Sequence, residues 1–333
     1  VKLLLIVDDR TDPVATSDYI ARRFGGRNAC VDVLCVIPGS DRERTAPWSR
    51  AGSARQRARD VRLREAADEI ADASARELRA THRLTVGTTH VRVGDAARVI
   101  AASSGRLGSD LILMEHPTGG FHARLRAASL ARCLLADTAC VVELFSPGET
   151  LPGGILDVIV PLALEDIVQF PVIRMCDFAW PEATRWRILG ITRKPAHATQ
   201  LESCGYRLLR TLHEADAMHR AVEARLRSFC AELQRVLGGG AMIDHEIVTG
   251  TPYAVMTDVR RRLPTALMIA LESPSQGFGR LAALTQERAL AMTLRATGST
   301  MLLHGARGDA ALRHWLSTSA MARARLAPRP RPL

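Results

Sequence analysis

The sequence predicts an α/β protein: two doubly wound domains, each a five-stranded parallel sheet covered by helices, arranged as a tandem repeat. Three observations carry that expectation. First, Glu-His-Pro-Thr-Gly-Gly-Phe at 115–121 returns as Glu-Ser-Pro-Ser-Gln-Gly-Phe at 272–278, about half of the 333 residues later. A motif serving one local site has no reason to recur at that interval, whereas duplication of a domain repeats it. Second, short apolar runs alternate with amphipathic stretches in both halves, the pattern of strands and helices in an α/β sheet. Third, Ser-Pro-Gly-Glu-Thr-Leu-Pro-Gly-Gly at 146–154 interrupts the apolar pattern with turn formers. The chain therefore divides into a first domain (1–147), a linker (148–155), a second and more divergent domain (156–306), and a C-terminal helix with a basic, Pro-rich tail (307–333).

The elements follow in order. Leu3 to Val7 is a continuous apolar run, as in a parallel strand covered on both faces. Asp12-Pro13 then starts a helix through about Phe24, an acidic cap followed by a proline at the first helical position. Val31 to Ile37 reads as the second strand, and the spacing of Val61, Leu63, Ala66, Ala67, Ile70, Ala73 and Leu78 predicts a long helix. Val86 to Val93, Leu111 to Met114 and Cys140 to Phe145 complete the first sheet, separated by helices over Ala96–Leu107 and Ala123–Ala136. In the second half, strands fall at Val158–Leu162, Trp186–Ile191, Met242–Val248, Leu267–Leu271 and Thr300–Leu303. Its first helix carries Pro171, its long helix spans about Glu214 to Leu237, and a further helix covers Asp309 to Leu326. Thr249-Gly250-Thr251-Pro252 stands where the first half has Val93-Gly94-Asp95-Ala96.

Composition narrows the function classes. The seven cysteines have no CxxC or Cys/His ligand spacing, so neither a disulfide framework nor a zinc site is expected. No apolar run reaches the ~18 residues of a membrane span, and no secretory leader pattern opens the chain, so a cytoplasmic location is expected. The net charge of +10 raises anionic partners, but the densest basic stretch, Arg42 to Arg64, is interleaved with Asp41, Glu43, Asp60 and Glu65. It reads as a solvated face, with nucleic acid not expected. No catalytic constellation stands out, and Ser129 has no His/Asp partner recognisable by spacing. His116 and His122 could join Asp8 and Glu115 around a metal, yet loop histidines are more often simply exposed, and no metal is expected.

The run Leu4-Leu5-Ile6-Val7-Asp8-Asp9, the turn Val91-Arg92-Val93-Gly94-Asp95-Ala96, the strand Ser109-Asp110 through Met114, Ser129, and Thr138 through Val142 together resemble the universal stress protein family in its tandem two-domain form. The resemblance covers about 2–145 closely and 156–304 more loosely. It implies a ligand crevice beyond the strand ends, lined in the first domain by Asp8, Asp9, Val36, Gly94, Glu115, Thr118, Gly119, Gly120 and Ser129. The second-domain equivalents are Gly250, Glu272, Ser275 and Gly277.

Nucleotide-binding members carry Gly-x2-Gly-x9-Gly-(Ser/Thr) after the fourth strand, where backbone amides hold phosphates. In this chain those glycine positions read Glu115, Thr118 and Ala128, and only Ser129 fits. A carboxylate about 4 Å from a phosphate charge costs about 1 kcal/mol in water and about 4 at an effective dielectric of 20. The second domain has Ala163 where the first has Asp8. The resemblance therefore implies a stress-response binding or regulatory module without tight ATP binding and with no expected cofactor. Two alternatives stay open: an ATP/Mg sensor using the first domain alone, and a carrier of an apolar small molecule. Expected partners are the two halves themselves, paired through their fifth strands, then a homodimer, a regulatory protein or a small ligand.

Overall fold

A computed structural model describes residues 1–25, 29–39, 54–81, 84–116, 121–146, 156–163, 175, 178, 180–181, 183–192, 205–238, 240–272 and 298–304. The linker, the Pro171 helix, the Asp309–Leu326 helix and the tail lie outside these residues, as do Thr118, Gly119, Gly120, Ser275 and Gly277. The first half runs β1 (Lys2–Val7), α1 (Pro13–Phe24), β2 (Cys30–Pro38), α2 (Ala54–Ala80), β3 (Thr85–Gly94), α3 (Ala96–Leu107), β4 (Leu111–Glu115), α4 (Phe121–Asp137) and β5 (Val141–Phe145). The second runs β6 (Asp157–Ala163), β7 (Arg185–Thr192), α5 (Gly205–Leu237), β8 (Met242–Thr249), α6 (Pro252–Arg262), β9 (Leu267–Glu272) and β10 (Thr300–His304).

The helix starts are chemically explicit. The Asp12 carboxylate accepts from the Val14 and Ala15 amides, Asp95 accepts from Arg98 N, and Thr251 Oγ1 accepts from Ala254 N. Each satisfies amides that have no partner in the first turn. Gly108, at φ 64, closes α3 in the left-handed region that a side chain disfavours. Both long helices begin earlier than their apolar spacing predicts, α2 at Ala54 and α5 at Gly205. Propensity extends a helix past the stripe that buries it: Val61 and Leu63 of α2 remain exposed, while Ala67, Ala71, Ala75 and Leu78 are buried.

The sequence reads as two sheets, but the strands form one ten-stranded sheet, ordered β3-β2-β1-β4-β5-β10-β9-β6-β7-β8. Within each half all pairings are parallel, and the halves show the same spatial order. The halves merge because β5 and β10 pair antiparallel, so neither exposes an open apolar edge. One face is a continuous core across this seam, from Leu3, Leu5 and Val7 through Phe145 to Met301, Val158 and Trp186. The other face divides into a cluster around Ile112 and Val142 that reaches across the seam to Leu302 and a second-half cluster around Ile159, Val255 and Val259.

Candidate functional site

β1 pairs with β2 on one side and β4 on the other, so the chain reverses its direction of travel across the sheet there. In an open parallel sheet that reversal leaves a crevice beyond the carboxyl ends of the strands. Asp8 follows β1, and Glu115 is the last residue of β4.

Asp8 is exposed but not loose. Its Oδ1 accepts from the Arg10 amide (3.0 Å) and the Thr11 hydroxyl (3.3 Å), and its own amide donates to Thr11 Oγ1 (3.0 Å). This side-chain turn leads directly into the Asp12 cap of α1, which fixes the carboxylate at the strand end. Asp9 is exposed beside it.

Glu115 is half-buried, and its Oε2 has no hydrogen-bond partner among the described residues. Burial is the main cause that pushes its carboxyl up to about 7, with the Asp8 charge next, an opposing hydrogen bond from the Asp12 backbone, and the Asp12 charge last. Cys35 on β2 has its thiol pushed up to about 11 by burial and then by Asp8, Asp68 and Asp9. Burial leads both shifts, and the Asp8 charge adds to each, so acidic groups of the described rim act on both side chains. Cys35 and Asp68 were not among the residues singled out from sequence, and Asp12 was read there only as a helix cap.

The other candidates are distributed unevenly. Gly94 ends β3 at φ 151, accepts at its carbonyl from Gly39 N (3.2 Å), and would bring a Cβ to 2.9 Å from Val99 Cγ2. Glycine is thus required for the turn into α3. Val36 is half-buried on β2, opposite Arg92. Ser129 is exposed on α4, eight residues past Phe121, or roughly 12 Å along the axis at ~1.5 Å per residue. It is not in the first turn, where free amides could share an anion with it. His116 is buried and its amide donates to Phe145 O (2.6 Å), while His122 is exposed. No group of three His, Cys, Asp or Glu side chains among the described residues is arranged to hold a metal ion.

In the second half, β6 ends at Ala163, and the Gly250 amide donates to Thr192 O (2.8 Å) in the turn into α6. Glu272 is the last residue of β9, paired with His304. It is not the positional counterpart of Glu115. Leu111 and Leu113 face the continuous core, as do Leu267 and Ile269. By backbone register Leu111 and Leu267 occupy matching positions beside β1 and β6, so Leu271 stands at the position of Glu115.

No family model matches the chain, and no curated protein matches it. Solved structures do. The crystal structure of a universal stress protein from Archaeoglobus fulgidus DSM 4304 superposes with a TM-score of 0.54 at 14% identity, covering 92% of this chain and 97% of that one. The fold is that of the universal stress proteins. A functionally unknown protein from Pseudomonas aeruginosa PAO1 is similar to the same extent, with a TM-score of 0.53 at 13% identity over 96% of this chain and 97% of that one. At the strand ends of this fold the chain carries the carboxylates of Asp8, Asp9, Asp12 and Glu115, and Ser129 lies well down its helix. No helix among the described residues is long and apolar enough to cross a membrane.

Proposed function

We propose that this chain is a tandem universal stress protein acting as a cytoplasmic binding or regulatory module of the stress response, and that it does not hold ATP tightly. The observation that carries the reading is Glu115, half-buried at the end of β4 with its carboxyl pushed up to about 7 beside Asp8. Burial first, and then the Asp8 charge, disfavour its ionised form, and a triphosphate would bring several more negative charges. At the backbone positions that match Asp8 and Glu115, the second half carries Ala163 and Leu271.

The test is titration of purified full-length protein with Mg-ATP at pH 8, read by calorimetry and thermal shift. Binding weaker than about 0.1 mM, and a correspondingly small shift, is expected. A low-micromolar dissociation constant, or ATP co-purifying with the chain, overturns the reading.

The ATP-sensor alternative is favoured by the same residue under other conditions. Below pH 7 Glu115 takes up a proton, ceases to repel phosphate and becomes a hydrogen-bond donor. ATP affinity at pH 6 should then exceed that at pH 8 by about tenfold, and Glu115→Gln should abolish the difference. A homodimer or a regulatory protein remains the proposed partner class.

A further inference from the structure

The seam between β5 and β10 contains a buried acid where an apolar residue would be expected. Glu143 is fully buried in the middle of β5. Its Oε1 accepts from the Tyr19 hydroxyl at 2.6 Å, and Arg23, also fully buried, brings Nη2 within 3.8 Å of Oε2. Tyr19 stacks on Phe145 at 4.7 Å, and the Arg23 guanidinium lies 4.1 Å from the Trp180 ring of the second half. Desolvation raises the Glu143 carboxyl above its ordinary range, while Arg23 and the Tyr19 bond pull it back.

Register shows where this acid sits relative to the symmetry of the molecule. Leu3 pairs with Val31 and Leu111 in the first half, as Val158 pairs with Trp186 and Leu267 in the second. These sets are counterparts, and all of their members lie in the continuous core. Counting along β4 and β9, Leu113 corresponds to Ile269; since Leu113 pairs with Glu143 and Ile269 with Met301, Glu143 corresponds to Met301. Across the seam Glu143 also pairs directly with Met301. A residue opposite its own counterpart lies on the pseudo-two-fold axis.

That placement has a consequence for partner choice. If β5 paired in the same geometry with β5 of a second copy, Glu143 would face Glu143, with Cα atoms about 5 Å apart in a desolvated core. Two carboxyls so placed cannot both ionise. The same pairing would replace Ser299, whose hydroxyl accepts from Ser146 N (3.2 Å), by its counterpart Val141, and would remove Trp180 from Arg23. β10 presents Met301 instead, so the Glu143 carboxyl, held by the Tyr19 hydroxyl and near the Arg23 charge, meets no second acid across the seam.

We propose that Glu143 is a partner-selecting residue: it admits the apolar β10 edge of the second half at the seam and excludes β5 of another copy. The arrangement stabilises the right pairing and penalises the near-symmetric wrong one, which is how specificity is obtained from a difference of free energies. It is independent of what the crevice binds.

The test uses full-length protein at pH 8. Two copies of different mass are unfolded, refolded together at high concentration, and mixed dimers are counted by native mass spectrometry. Glu143→Gln, which keeps a side-chain acceptor for Tyr19, should raise the mixed-dimer fraction at least about tenfold over wild type. In the reciprocal variant, Met301→Glu, amide exchange across β5 and β10 should accelerate by more than about tenfold, and adding Glu143→Gln should restore protection. A Glu143→Gln mixed-dimer fraction equal to wild type, or unchanged protection in Met301→Glu, overturns the proposal.

Discussion

In the first half, the crevice ends of β1 and β4 carry Asp8 and Glu115; in the second, the matching positions carry Ala163 and Leu271. Yet the two halves spell almost the same motif at this point, Glu-x-Pro-(Thr/Ser)-x-Gly-Phe. The difference arises because β9 spends one more residue than β4 between its first core leucine and its glutamate. A slip of one residue moves a side chain to the other face of a sheet. Likeness of letters is therefore not likeness of site, and the acidic chemistry near neutrality is argued for one half only.

The largest expected effect lies in the second half. Arg260 of α6 is buried and donates to Ala266 O (2.6 Å), Ser299 O (3.0 Å) and Thr300 Oγ1 (3.2 Å), tying the helix end to the entry of β10. It has no counterpart among the described polar links of α3. Arg260→Ala removes these buried donors at once, with Ser299 O keeping only the Met268 amide, and a loss of about 3 kcal/mol is expected in urea unfolding. A loss below about 1 kcal/mol would show that the second half does not depend on this anchor.

Next comes the paired turn glycine. Gly94→Ala must hold φ 151 and press on Val99, so about 2 kcal/mol should be lost. At Gly250 the added Cβ would meet only the Val255 Cγ2 methyl at 3.1 Å, so Gly250→Ala should cost less than about 1 kcal/mol. Equal costs would mean the two turns are alike after all.

The smallest effect concerns Glu115. Its carboxyl is raised from 4.5 to about 7 by folding, so the native chain holds the proton more firmly than the unfolded chain. Stability should consequently fall as pH rises from about 4.5 to about 7 and then level off, by on the order of 1 kcal/mol once partial exposure is discounted. Glu115→Gln should flatten that part of the profile. Glu272→Gln, at the out-of-phase position, is the control that sharpens the comparison.

Much of the scaffold was legible before any coordinates. The strands of Leu3–Val7, Val31–Ile37 and Trp186–Ile191 are dense enough in apolar residues to require cover on both faces, and each is a buried parallel strand. The cap at Asp12 was equally plain, since an acid before a helix-opening proline has few other uses, whereas Asp95 was read only as part of the turn into its helix. The site was less legible. Ser129 matched a sequence spacing, but it lies beyond the first turn of α4, away from the free amides at the helix start.

Local interactions account for what the sequence by itself determined: where strands and helices form, how helices start, and that the strand order would be doubly wound. Tertiary structure decided three things. It joined the sheets at β5 and β10, the fifth-strand pairing that the family resemblance implies but that no local pattern encodes. It separated the adjacent Arg22 and Arg23, leaving one exposed to pair with Asp18 and enclosing the other between Phe24 and Trp180. And it gave Glu115 and Glu143 their altered acidities, because a carboxyl's proton affinity depends on the water removed from it and on charges that distant elements bring near.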